Sequence, residues 1–113
     1  MSQITTHILD ISSGMPAAGV DVVLSRLQNG GTPEVVAKGI TNDDGRIPGL
    51  LPGESPLPAG IYQLRFETGA YFKRKNTACF HPFVEVVFEL KEARHHHVPL
   101  LLSPFGYSTY RGS

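Results

Sequence analysis

Short runs of β-branched and aromatic residues, cut by Gly, Pro, Asn and Asp, recur along the whole chain. Gln3 to Leu9 reads as a first strand, closed by Asp10 to Gly14 and Pro16. Gly19 to Leu27 alternates, with Val20, Val22 and Leu24 on one face and Asp21, Val23 and Ser25 on the other. Gln28 to Gly31 is a turn cluster that predicts a hairpin with Glu34 to Thr41. Asn42-Asp43-Asp44-Gly45 is the strongest turn signal, because Asp-Gly supplies the positive φ that tight turns need. Four prolines and three glycines between Pro48 and Gly60 predict an irregular loop with at most a short edge strand. Ile61 to Thr68 returns to alternation, with Tyr62, Leu64 and Phe66 on one face, and Ala70 to Asn76 predicts a brief helix. Phe83 to Leu90 and His95 to Ser103 are apolar enough to be largely buried strands, and Pro104 to Gly106 turns into a last one, Tyr107 to Tyr110. Seven or eight short strands with turns every 8–12 residues predict an all-β antiparallel sandwich with one short helix.

At 113 residues, the expectation is one domain, 1–113, with a single core. Ten Lys and Arg balance ten Asp and Glu, which argues against a chain built to bind nucleic acid or an anionic membrane surface. Only 18% of residues are charged against 41% hydrophobic, a surface that suits coverage by partner subunits. Cys79 stands alone, so no intrachain disulfide can form. The first residues lack the pattern of a signal peptide and no apolar run is long enough for a membrane span, so a soluble, cytoplasmic protein is the expectation.

Chemistry concentrates in His95-His96-His97. On a strand, His95 and His97 share one face and His96 takes the other. Three readings stay open: a structural polar strand end, a zinc clip in which His7 is a third ligand, or metal-free acid–base work resting on the near-neutral histidine pKa. Arg46 after the Asp-Gly turn is, taken alone, a solvated side chain. His81 reads as packing, Cys79 as inert, and Tyr110 to Ser113 as an ordinary chain end.

The chain resembles the transthyretin-like family, and within it the 5-hydroxyisourate hydrolases, over essentially its whole length. Thr6-His-Ile-Leu-Asp10 is similar to the family's opening strand, and Thr41-Asn-Asp-Asp-Gly-Arg46 with Gly49-Leu50 to its turn-arginine segment. Gly69-Ala-Tyr-Phe72 and Phe80-His-Pro82 follow the pattern too. His95 to Pro104, running into Tyr107-Ser-Thr-Tyr-Arg-Gly-Ser113, is the most specific piece. The terminal Tyr-Arg-Gly-Ser and the paired strand histidines separate the hydrolases from the hormone-carrying transthyretins. His96 departs from the tyrosine common in the family, and His81 from an aromatic residue.

The resemblance implies a site of His7, Arg46, His97 and the terminal Tyr110, Arg111, Gly112 and Ser113, with His95 nearby. It implies hydrolysis of a ring amide of 5-hydroxyisourate in urate breakdown, without metal or organic cofactor, by a homotetramer with sites between dimers. His97 would be the base, His7 an orienting or relaying group, Arg46 the oxyanion partner, and Ser113 a hydroxyl and carboxylate holding water or the histidine tautomer. His95, Tyr110, Arg111 and Gly112 would bind substrate. The rivals are a non-catalytic small-molecule carrier and a zinc-dependent cyclic amide hydrolase.

Overall fold

A computed structural model describes residues 3–28, 31–51, 56–92 and 94–112. The elements are β1 (Ile4–Asp10), β2 (Met15–Pro16), β3 (Asp21–Arg26), β4 (Glu34–Ile40), β5 (Gly60–Phe66), α1 (Thr68–Arg74), β6 (Val84–Leu90), β7 (His96–Ser103) and β8 (Gly106–Thr109). They form two four-stranded sheets, in the orders β2-β1-β7-β8 and β4-β3-β5-β6.

Alternation decides which residues fill the space between the sheets. Along β1, Ile4, Thr6, Ile8 and Asp10 are buried, while Thr5, His7 and Leu9 are only half-buried. Val22 and Leu24 of β3 and Tyr62, Leu64 and Phe66 of β5 meet Val98, Leu100 and Leu102 of β7 in one core cluster. A register shift between Leu24 and Ser25 turns both residues inward, which a strict period of two would forbid. No described helix is long and apolar enough to cross a membrane.

The sandwich is the predicted one, with three local differences. β1 and β7 pair in parallel over seven positions, from Ile4 opposite His96 to Asp10 opposite Leu102, whereas the expectation was antiparallel throughout. Between β1 and β7 the chain runs through the edge strand β2 and the whole second sheet, so no hairpin constrains their relative direction. β2 is a two-residue edge strand pairing Leu9 and Asp10, where the sequence showed only a strand end. The helix starts at Thr68, two residues early: Gly69 comes close enough to donate its N–H to Pro82 O at 3.1 Å, and Tyr71 and Phe72 bury their rings. The turn expected at Gln28 to Gly31 lies partly outside the described residues; the hairpin it predicted, β3 with β4, is present. The described parts of the Pro48 to Gly60 loop form no strand before β5.

One buried charge ties the helix to the first sheet. Asp10 is 1% exposed, and its carboxylate accepts from Tyr71 Oη at 2.7 Å and from Ser12 N and Oγ at 3.0 and 2.5 Å. Burial alone would push this carboxyl up; the bonds from Ser12, Tyr71 and Ser13 outweigh it and hold it below the usual carboxylate value. Burial and the Asp10 carboxylate likewise keep the Tyr71 phenol protonated. Because the folded value is the lower one, Asp10 adds stability that is complete above the unfolded carboxylate pKa, about 4, and is lost as pH falls through the folded value. Tyr71→Phe should cost about 1.5–3 kcal/mol in denaturant unfolding at pH 7. A change under a few tenths of a kcal/mol would show that this bond carries no stability.

Candidate functional site

The half-buried face of the β2-β1-β7-β8 sheet carries the candidate residues. In parallel register, Thr5 stands opposite His97 and His7 opposite Pro99, so side chains far apart in sequence share one outer face. The Asn42–Gly45 turn brings Arg46 to the free edge of β1. Asn42 Oδ1 accepts from the N–H groups of Asp44 and Arg46 at 2.9 and 3.1 Å, which closes the turn. Gly45, at φ +74, donates its N–H to Asn42 O at 2.9 Å, and its carbonyl accepts from Ile8 N at 2.9 Å. A Cβ at Gly45 would run into the Ile8 carbonyl, so only glycine allows this approach. The next residue, Arg46, pairs with His7 across an antiparallel bridge. Arg46 is exposed, as its place after the turn predicts, and its backbone adds a rung to the sheet.

On the other side of β7, the chain end returns. Gly112 pairs with His97, donating its N–H to His97 O at 2.8 Å. A Cβ at Gly112 would stand 2.5 Å from His97 Cδ2, so the imidazole lies directly over the glycine. Ser113 lies outside the described residues.

An open hollow of about 480 Å³ occupies this face, lined by Thr5, Thr6, Arg46, Ile47, Pro48, His95 and His97. His7 is two residues along the strand from Thr5 and does not line the hollow itself. Tyr110 and Arg111 do not line it either. They border a neighbouring hollow of about 290 Å³ against Val86 to Glu89 of β6, which shares His97. Of the residues predicted from sequence, the fold thus gathers Arg46, His95, His97 and Gly112, sets His7 beside them, and places Tyr110 and Arg111 around a corner.

His95 precedes β7 rather than starting it, yet its ring stays with that of His97, centroids 6.2 Å apart. Thr5 explains this: its hydroxyl shares hydrogen bonds with His95 Nε2 at 2.7 Å and His97 Nδ1 at 2.8 Å. Sequence reasoning missed Thr5, although its spacing of two from His7 puts both on one strand face. His96 takes the opposite face from His97, as expected, and is buried there, with Nδ1–H donating to Arg94 O at 2.7 Å. His81 packs edge-on against Phe80 and Tyr107, and Cys79 donates weakly to His81 O. Among the described residues, no three His, Cys, Asp or Glu side chains converge as metal ligands.

Electrostatics keep the two central imidazoles neutral. Burial lowers the pKa of His97, and the charges of Arg46, His95 and His7 lower it further. Burial and Arg46 lower that of His7, against the opposing pull of a hydrogen bond to the Asp44 backbone and the Asp44 carboxylate. The face therefore offers a permanent cation beside neutral imidazole nitrogens. Such a pairing can hold a carbonyl oxygen and take a proton in one place.

The HIUase/Transthyretin family model matches residues 4–112. The chain belongs to this family. It is 48% identical over 118 residues to the 5-hydroxyisourate hydrolase of Halalkalibacterium halodurans, covering 98% of each chain. The structure of Klebsiella pneumoniae 5-hydroxyisourate hydrolase is 45% identical, covers 99% of this chain and 100% of its own, and superposes with a TM-score of 0.85. Sea bream transthyretin, solved in complex with thyroxine, is 35% identical over 98% of this chain and 95% of its own, with a TM-score of 0.90. Backbone likeness does not separate the two here, since transthyretin superposes slightly better. Sequence identity runs the other way, at 35% against 45%.

The charge arrangement is open to direct test. In an NMR titration, the His7 and His97 imidazoles should both titrate below 6.5, the ordinary histidine value. Arg46→Gln should move both midpoints upward by removing the cation. Midpoints that stay in place would mean that the guanidinium does not act on these rings.

Proposed function

We propose that this chain is a hydrolase of 5-hydroxyisourate in urate degradation, giving 2-oxo-4-hydroxy-4-carboxy-5-ureidoimidazoline. The observation that carries the reading is the neutral His97 imidazole sharing one hollow with Arg46. Hydrolysis of a ring amide needs a water made nucleophilic and a carbonyl oxygen ready to carry negative charge. His97 takes a proton from water as the new C–O bond forms, a contribution of about 10²–10⁴-fold in such reactions. Arg46 holds the carbonyl oxygen as its charge develops. The ring C–N bond then breaks, and the proton held by His97 passes to the leaving nitrogen. His7, paired to Arg46 through the backbone, orients the guanidinium and the bound water. Gly112 permits the chain to pass close to His97, and Ser113 is assigned, in this reading, the role of holding the water or the histidine tautomer. His95 lines the substrate's hollow, and Tyr110 and Arg111 bound it from the neighbouring one. All the groups this scheme uses are supplied by the chain and water, so it calls on no cofactor.

In this reading the active form is a homotetramer, a dimer of dimers, of single-domain chains. The hollow lies on an exterior sheet face and is open to solvent, so a facing copy would complete its walls and exclude water. Two sheet edges, β6 and β8, also expose Val87, Tyr107 and the adjoining Phe105. A half-buried lone thiol, Cys79, suits a reducing cytoplasm.

The deciding assay generates 5-hydroxyisourate from urate in situ and follows its decay with and without the protein. Accelerated decay that survives dialysis against a strong chelator is expected. Decay at the uncatalysed rate would instead favour the carrier, and activity lost to chelation and restored by zinc would favour a metal-bound hydroxide. His97→Asn should lower kcat by about two decades or more with little change in binding. Light scattering should give about four chain masses; a fully active monomer would overturn the shared site.

A further inference from the structure

The bond geometry around Thr5 assigns a task that neither the relatives' names nor the sequence pattern suggests. We propose that Thr5 is a positioning residue that sets the tautomer of His97, using His95 as the sink for its own proton.

A threonine hydroxyl carries one hydrogen and two lone pairs. It lies within 2.8 Å of two ring nitrogens, His95 Nε2 and His97 Nδ1. The one hydrogen can go to only one of them. If Thr5 donated to His97 Nδ1, the His97 proton would sit on Nε2, and the nitrogen left for the hollow would be an N–H with nothing to accept a proton. If Thr5 donates to His95 Nε2, its oxygen accepts from His97 Nδ1–H, and His97 Nε2 keeps its lone pair. The surroundings favour the second arrangement. Thr5 Oγ1 fixes the Nδ1 side of the ring, and Gly112 lies against the Cδ2 side with no room for the ring to be displaced. A bare nitrogen is also better placed than an N–H in the field of Arg46, which lines the same hollow. His95 thereby gains a reason to be there. Its Nε2 acts as the acceptor that leaves the Thr5 oxygen free to accept from His97.

The link between His95 and His97 explains why their rings stay together although His95 lies outside β7. It also stabilises the imidazolium formed during the reaction, since Thr5 Oγ1 keeps accepting from Nδ1 once Nε2 is protonated. In this respect Thr5 stands to His97 as an orienting acceptor stands to any histidine base, with a neutral hydroxyl in place of a carboxylate.

This inference rests on His97 being the base, and its test separates the two. Long-range ¹H–¹⁵N spectra of histidine-labelled protein at neutral pH should show His97 protonated on Nδ1 and bare on Nε2, a result readable whether or not the protein turns over 5-hydroxyisourate. Thr5→Val keeps the shape and removes the hydroxyl; it should lower kcat about ten- to hundred-fold with KM nearly unchanged, and mix the His97 tautomers. Thr5→Ser restores the hydroxyl and should recover most of the rate and the single tautomer. His97 protonated on Nε2 in the unaltered protein would overturn the proposal. So would a Val variant with unchanged kcat and spectrum, or equal losses in the Val and Ser variants.

Discussion

The parallel pairing of β1 with β7 is the constraint on which the rest depends. It places the chain's first strand beside a strand more than ninety residues later, in a register that sets Thr5 against His97. A slip of one residue would send Thr5 and His7 into the core and bring Ile4, Thr6 and Ile8 to the surface. Burial of Ile4 and Ile8, about 1.5–3 kcal/mol for each large aliphatic side chain, therefore protects the register of the polar face. Core and site are two sides of one ladder, and the hydrophobic side enforces the geometry of the other.

Two further anchors complete the face. Gly45 and the Asn42 side chain bring Arg46 to the edge of β1, and Gly112 brings the chain end beneath His97. Both anchors depend on glycine, because each closes a gap that a methyl group would fill. The electrostatic outcome follows: burial, and after it the charge of Arg46, lowers the pKa of both His7 and His97. Transthyretin shares this backbone, as its TM-score shows. This chain and transthyretin then differ in the side chains carried on a common fold.

Much of this was legible in the sequence. Period-two alternation announced β3 and β5 and their buried faces, and Asn42 to Gly45 announced its turn. Strand geometry put His95 and His97 on one face, but His95 lies outside β7 and its ring is kept beside that of His97 by the Thr5 hydroxyl. The direction of β1 relative to β7 was not legible, because alternation says which face a residue occupies and not which strand lies beside it. β2 is too short to leave a pattern. Thr5 was invisible for a related reason: a threonine in a strand is an ordinary β-former, and its value comes from two histidines some ninety positions away. Arg46 was the reverse case, unremarkable by composition and significant by resemblance; the His7 bridge supplies the physical reason. The resemblance also grouped Tyr110 and Arg111 with the site, whereas within one chain they face a separate hollow that meets it at His97.

The central claim is that a neutral His97, held so by burial and by the nearby Arg46, His95 and His7, is the base that activates water. The pH dependence of kcat/KM for 5-hydroxyisourate tests it most directly, because it reports the titration of the free enzyme's base. A lowered pKa means that His97 stays unprotonated as pH falls past the ordinary histidine value. The rate should therefore decline only on an acid limb centred below 6.5, and Arg46→Lys should keep that limb's position more nearly than Arg46→Gln does. A limb centred above 6.5, or a profile with no acid limb at all, would contradict the account.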